Sequence, residues 1–236
     1  LGVLVMTKIN ATVAQTISNM VDFGGDAHEA LIALCAALFA IVIWATAAWV
    51  FGIPTSESHA LIAGVSGAAI AMQGGLKGIN GGEWIKVIYG LILSTVIGFI
   101  AGFVIVRILE SICKNMDRRK TNRFFKKAQV AGGAAMAFMH GAQDGQKFMS
   151  IFVLAITLAT GVGQADQMIL PIWLMFFCAL NMGLGTAVGG ERIIKSVGLD
   201  MVKLEPFQGF AASVATFFCL MLSTFAGLPL SLIHIS

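Results

Sequence analysis

Apolar runs dominate the chain, and short polar stretches punctuate them. Residues 30–50 are almost continuously apolar, matching the about 20 residues a helix needs to cross a bilayer. Residues 84–108, 169–188 and 207–225 repeat that pattern and are expected to span as well. Trp44 and Trp49 near the end of the first span suit an aromatic belt at a membrane interface. Residues 1–6 read as the tail of a membrane helix, and 7–26 as a mixed segment at the interface or partly buried. A proline break precedes an apolar run at 61–72, a glycine-rich loop is expected at 73–83, and a short loop at 161–167. Residues 189–206 are amphipathic and carry Arg192, Lys195 and Lys203. The chain opens inside an apolar run and stops just after a second proline break, which reads as a piece of a longer protein.

Composition agrees with a polytopic, all-α membrane protein in a lipid bilayer. The 236 residues are 58% hydrophobic and 11% charged, whereas soluble domains carry about 25% charged residues. The 27 glycines fit close approach of membrane helices. Cys35, Cys113, Cys178 and Cys219 are scattered without a CxxC spacing and read as small packing residues, with no metal site or cofactor implied. Charge is concentrated: Arg107, Lys114, Arg118, Arg119, Lys120, Arg123, Lys126 and Lys127 are eight of the 15 basic residues. The positive-inside rule makes 113–127 a cytoplasmic loop and explains its charge without a nucleic-acid partner. Nothing fixes the oligomeric state, a homo-oligomer included.

The apolar runs 130–139 and 148–159 flank His140-Gly141-Ala142-Gln143-Asp144-Gly145-Gln146-Lys147. A carboxylate, an ammonium, an imidazole and two amides thus fall at membrane depth, where a charged group costs roughly 2.5–3.5 kcal/mol. An Asp144–Lys147 pair that merely fixes helix packing is the bland reading. Gly141 and Gly145 beside the polar side chains point instead to an interrupted helix, the device with which secondary transporters build ion and substrate sites.

A second polar stretch, Gly52-Ile53-Pro54-Thr55-Ser56-Glu57-Ser58-His59, precedes the 61–72 run. Pro54 is expected in the first turn of a helix. Thr55, Ser56 and Ser58 then lie beside free backbone N–H groups, a combination that binds anions. A plain N-cap is the simpler alternative. The chain's last residues, Gly227-Leu228-Pro229-Leu230-Ser231-Leu232-Ile233-His234, place Gly, Pro, Ser and His at the same offsets. Each break follows a span, and each span follows a mixed segment, which implies an internal repeat. The first mixed segment has Lys8 against Asp22 and Asp26, the second three basic residues, so the repeats are expected to be inverted. That parity requires 61–72 to belong to a full crossing.

The His140–Asp144 stretch resembles the HGAND signature of the inorganic phosphate transporter (PiT) family. Phe51–Ala60 is similar to its GxPVSTTHA motif, and Gly185-Thr186-Ala187-Val188-Gly189-Gly190-Glu191-Arg192-Ile193-Ile194 to its GTxxGGxRI segment. The resemblance implies two inverted repeats with broken or re-entrant helices near the midplane, here 1–112 and 128–236. It also implies uptake of inorganic phosphate by symport with Na⁺ or H⁺ at the plasma membrane. Thr55, Ser56, Ser58, Gln143 and Ser231 would meet phosphate. Asp144, Gln143, Lys147 and Glu57 would serve the coupling cation, and His59, His140, Gly141, Gly145, Pro54 and Pro229 would shape the site. The chain departs from the family at Gln143 and Lys147, which replace two Asn, at Glu57, which replaces Thr, and at Leu232 and Ile233, which replace two Thr. An ammonium at 147 could stand in for a sodium ion, so coupling is expected to use fewer sodium ions, or protons. Three rivals remain at this stage: the same fold carrying sulfate or another oxyanion, an intramembrane hydrolase using Ser56, His59 and Asp144, and a non-transporting remnant. No GxSxG elbow supports the hydrolase.

Overall fold

A computed structural model of the chain describes residues 1–24, 26–160, 170–195 and 204–228. Its helices are α1 (Gly2–Ile9), α2 (Thr12–Ser18), α3 (Ala27–Phe51), α4 (Glu57–Gln73), α5 (Gly81–Cys113), α6 (Arg118–Thr160), α7 (Ile172–Lys195) and α8 (Pro206–Phe225). Among the described residues there is no strand, and Val21 and Ile79 form an isolated bridge. Four helical segments are long and apolar enough to cross a membrane: α3, α5, Ile172–Glu191 of α7, and α8. Phe39, Val42 and Ile43 on α3 and Phe99 and Phe103 on α5 are exposed. Apolar side chains turned outward along spanning helices belong against lipid, so the chain is a multi-pass membrane protein.

The polar stretch at 140–147 does not interrupt its helix. It lies inside α6, which runs unbroken for 43 residues, about 64 Å. A helical glycine costs only about 1 kcal/mol relative to alanine, and here the polar side chains find partners on other helices. Gly145 serves close approach: a Cβ there would lie 2.5 Å from Val3 Cγ2. Gly141 has open space around it. The interruption falls instead between α1 and α2. Asn10 is extended (φ −153°, ψ 123°), and its Oδ1 accepts from the Thr12 N–H at 2.8 Å and the Thr12 hydroxyl at 2.5 Å. An Asn side chain that bonds the backbone two residues on competes with the helix ladder.

The break after α3 follows from Gly52 and Pro54. Gly52 adopts the left-handed conformation (φ 67°). The Gly52 N–H reaches the Trp49 carbonyl at 3.1 Å and the Ile53 N–H the Ala48 carbonyl at 2.9 Å, a Schellman ending. Pro54 is not in the first turn of the next helix, as the sequence suggested. Ser56 is the N-cap of α4, and its Oγ accepts from the His59 N–H at 3.2 Å, so Pro54 keeps the linker extended. α4 then folds back along α3 with Gly64 against Ile41. Its far end returns to the start of α3, where Asp22 N–H meets the Gly78 carbonyl at 2.9 Å and Asn80 N–H the Met20 carbonyl at 3.0 Å. With 17 residues against 25, α4 retraces only part of α3.

α8 ends as α3 does. Gly227 has φ 67°, its N–H reaches the Thr224 carbonyl at 3.3 Å, and Leu228 N–H reaches the Ser223 carbonyl at 2.9 Å. The repeated Gly-x-Pro stretches thus begin from equivalent helix endings. Pro229 and Ser231 lie outside the described residues. The basic segment 113–127 is mostly not a loop: α6 starts at Arg118, and Asp117 Oδ1 accepts from the Arg119 N–H at 2.9 Å. Lys and Arg are good helix formers once a cap is present. α6 is central and packs against α1, α2, α3, α7 and α8.

Candidate functional site

The first turn of α4 meets the middle of α6. Ser58 is buried at the N-terminus of α4, and Lys147 of α6 is 1% exposed. Lys147 Nζ donates to Ser58 Oγ at 2.7 Å, to Asp144 Oδ1 at 2.9 Å and, at 3.5 Å, to Gln143 Oε1. The spacings i,i+3 and i,i+4 put Asp144 and Gln143 on the face of α6 that Lys147 covers. His140, one turn back, places Nε2 3.2 Å from Asp144 Oδ2. Asp144 is therefore held between an imidazole and an ammonium. Glu57 opposes it with like charge from the α4 side.

Gln143 ties this cluster to the end of α8. Its side-chain Nε2 donates to Ser223 Oγ at 2.8 Å and to the Leu228 carbonyl at 3.1 Å. Thr16 of α2 donates to the neighbouring Gly227 carbonyl at 2.9 Å. Gln146, on another face of α6, donates to the Asn10 carbonyl at 2.6 Å, at the break between α1 and α2. Three chain breaks, after Ile9, Phe51 and Phe225, thus converge on one and a half turns of α6.

The arrangement suits an anion and a compensating cation. Helix N-termini direct N–H groups and a partial positive charge outward; here the N-terminus of α4 adds Ser58, and α6 adds the Lys147 ammonium. Asp144 and Glu57 limit the net positive charge. Ser56 acts as a cap, while Thr55 and Pro54 lie in the extended linker before it. The imidazole 3.2 Å from Asp144 is that of His140, and Ser56 Oγ accepts from a backbone N–H of His59. Among the described residues no group of three or more His, Cys, Asp or Glu side chains could hold a metal ion. Sequence reasoning missed Asn10, Thr16, Ser223 and the carbonyls of Gly227 and Leu228. Asn10 was the one with a signal, a short polar side chain between two helical stretches.

A model of the phosphate transporter family matches residues 1–236. The chain is 37% identical over 223 residues to a probable low-affinity inorganic phosphate transporter of Bacillus subtilis (strain 168), covering 94% of this chain and 66% of that one. It is 31% identical over 232 residues to a protein of the same description from Mycobacterium leprae (strain TN), covering 98% of this chain and 54% of the relative. The chain therefore spans between about half and two thirds of the length of these relatives. A solved structure titled the sodium-dependent phosphate transporter superposes with a TM-score of 0.86 at 18% identity, covering 99% of this chain and 75% of that one, which shows a shared fold.

Proposed function

The chain belongs to the phosphate transporter family, and from that premise we propose that it takes up inorganic phosphate across the plasma membrane by symport with a cation. The observation that carries this reading is the meeting of Ser58, from the helix after the first Gly-x-Pro break, with Lys147 and Asp144 of α6. Phosphate near neutral pH carries roughly one to two negative charges. The α4 N-terminus and the Ser58 hydroxyl hold it without a cluster of arginines, and the Gln143 amide joins them by exchanging its bonds to Ser223 and the Leu228 carbonyl, so binding stays loose enough for release. Thr55, Ser56 and Ser231 complete the phosphate-facing set, and His59, His140 and the glycines and prolines of the two motifs shape it.

Asp144 repels phosphate unless a cation accompanies it, which ties the two fluxes together. The Lys147 ammonium already neutralises part of that charge at 2.9 Å. Coupling in this chain therefore uses fewer sodium ions, or protons. Residues 1–112 and 128–236 form two inverted repeats, with the basic segment on the cytoplasmic side, and one rocks against the other to alternate access. The matching endings of α3 and α8 support the repeat.

Radiolabelled phosphate uptake by the full-length protein in proteoliposomes, with Na⁺ and pH gradients imposed separately, tests the reading. Uptake is expected, with a pH effect and incomplete loss when choline replaces Na⁺. Strict Na⁺ dependence without any pH effect would sink the coupling scheme. Competition by sulfate at equal concentration would favour a general oxyanion permease.

A further inference from the structure

We propose that the end of α1 and Gln146 of α6 form a binding site for a sodium-sized monovalent cation, separate from the Asp144 cluster. It rests on the transport reading, within which it is the site of a mobile coupling ion that Lys147 has displaced from Asp144.

Gln146 is 0% exposed. Its Nε2 donates to the Asn10 carbonyl at 2.6 Å, while its Oε1 is buried without any hydrogen-bond donor. Reversing the amide would set oxygen against the Asn10 oxygen, so the orientation is fixed by chemistry. A buried amide oxygen with no donor calls for a positive partner. The Thr7 hydroxyl is likewise buried without a partner. Thr7 stands one turn beyond Val3 on the same face of α1. Val3 lies against Gly145, the residue before Gln146. Both unpartnered oxygens therefore belong to the α1–α6 contact at the chain break.

The break supplies further oxygens. In a continuous helix the Thr12 N–H would satisfy the Lys8 carbonyl, but Asn10 Oδ1 takes it at 2.8 Å. The last-turn carbonyls of α1 also carry the negative end of the helix dipole. Unwound carbonyls and half-helix C-termini are sodium ligands in membrane transporters. The donor set of carbonyls, an amide and a hydroxyl is hard oxygen without a carboxylate. A divalent ion would keep two uncompensated charges there, whereas a monovalent ion is matched by the dipoles. The ammonium of neighbouring Lys147 is directed at Ser58 and Asp144. Lys8, in the last turn of α1, is exposed. A cation gripping Gln146 and the end of α1 would hold the Asn10 hinge closed beside the residues that contact the end of α8.

The test is equilibrium binding of ²²Na⁺ to the purified full-length protein without phosphate. One saturable ion is expected. Gln146→Leu and Thr7→Val should each raise Kd about ten-fold or more, the scale of one lost polar ligand. Wild-type Kd in both Gln146→Leu and Thr7→Val overturns the site. If Gln146→Leu does not fold, the near-isosteric Thr7→Val decides: a wild-type Kd there overturns the site. Phosphate uptake driven by a pH gradient with no ²²Na⁺ binding overturns the site and leaves the transport reading standing. Saturable ²²Na⁺ binding lost in these variants, without phosphate uptake in any protein, upholds the site and rejects that reading.

Discussion

The Lys147 ammonium donates to the Ser58 hydroxyl at 2.7 Å across 89 residues of sequence. This contact joins the helix that follows the first Gly-x-Pro break to the centre of the longest helix. It also completes the surroundings of a charge that the apolar environment would otherwise expel. The consequences for stability and transport can be separated.

Lys147→Met leaves Asp144 mostly buried without its ammonium partner. Removing one member of a buried pair costs about 3–5 kcal/mol. Thermal unfolding in detergent should show a clear loss for the single variant, and Lys147→Met with Asp144→Asn should recover part of it. Equal stability of Lys147→Met and wild type would mean that the pair is solvated.

Lys147→Asn replaces the fixed cation with a neutral ligand. The Na⁺ dependence of phosphate uptake should steepen, with the Hill coefficient rising by about one, since Asp144 must then recruit an ion. An unchanged Na⁺ profile would show that Lys147 does not stand in for a cation.

Ser58→Ala removes a hydroxyl that the Lys147 ammonium uses and that phosphate is proposed to meet. A hydrogen bond to a charged group contributes about 1.5–3 kcal/mol, so the KM for phosphate should rise about ten-fold or more. A KM within two-fold of wild type would remove Ser58 from the phosphate site.

Gly145→Ala drives a methyl to 2.5 Å from Val3 Cγ2. Overpacking of this kind costs about 1–3 kcal/mol. Val3→Ala in the same chain should restore most of the lost stability in detergent unfolding. Failure of that rescue would mean that Gly145 matters for a reason other than the α1–α6 contact.

Gly52 and Gly227 share φ 67° but differ in surroundings. A Cβ at Gly52 meets nothing within 4 Å, whereas at Gly227 it lies 2.5 Å from Thr12 Cγ2. Gly52→Ala should cost only the conformational penalty of about 1–2 kcal/mol. Gly227→Ala should cost more, and Thr12→Ser, which removes the methyl but keeps the hydroxyl bonded to Asn10, should erase the difference. Unfolding midpoints of the three proteins check this.

The spans at α3, α5 and α8 were determined by the sequence alone, because the free energy of moving an apolar run into lipid sums over neighbouring residues and needs no partner. The Gly-x-Pro breaks were legible for a similar reason: a left-handed glycine followed by a proline ends a helix whatever surrounds it. The polar cluster at 140–147 could be located but its backbone could not. Whether Gly141 and Gly145 break a helix depends on who satisfies Gln143, Asp144, Gln146 and Lys147. Their partners Ser58, Ser223, Leu228 and Asn10 lie far away in the chain. With those bonds made across helices, α6 keeps its own ladder and the interruption moves to Asn10. Hydropathy is additive along the chain and shows in any window, whereas the satisfaction of buried polar groups is a property of the assembled bundle.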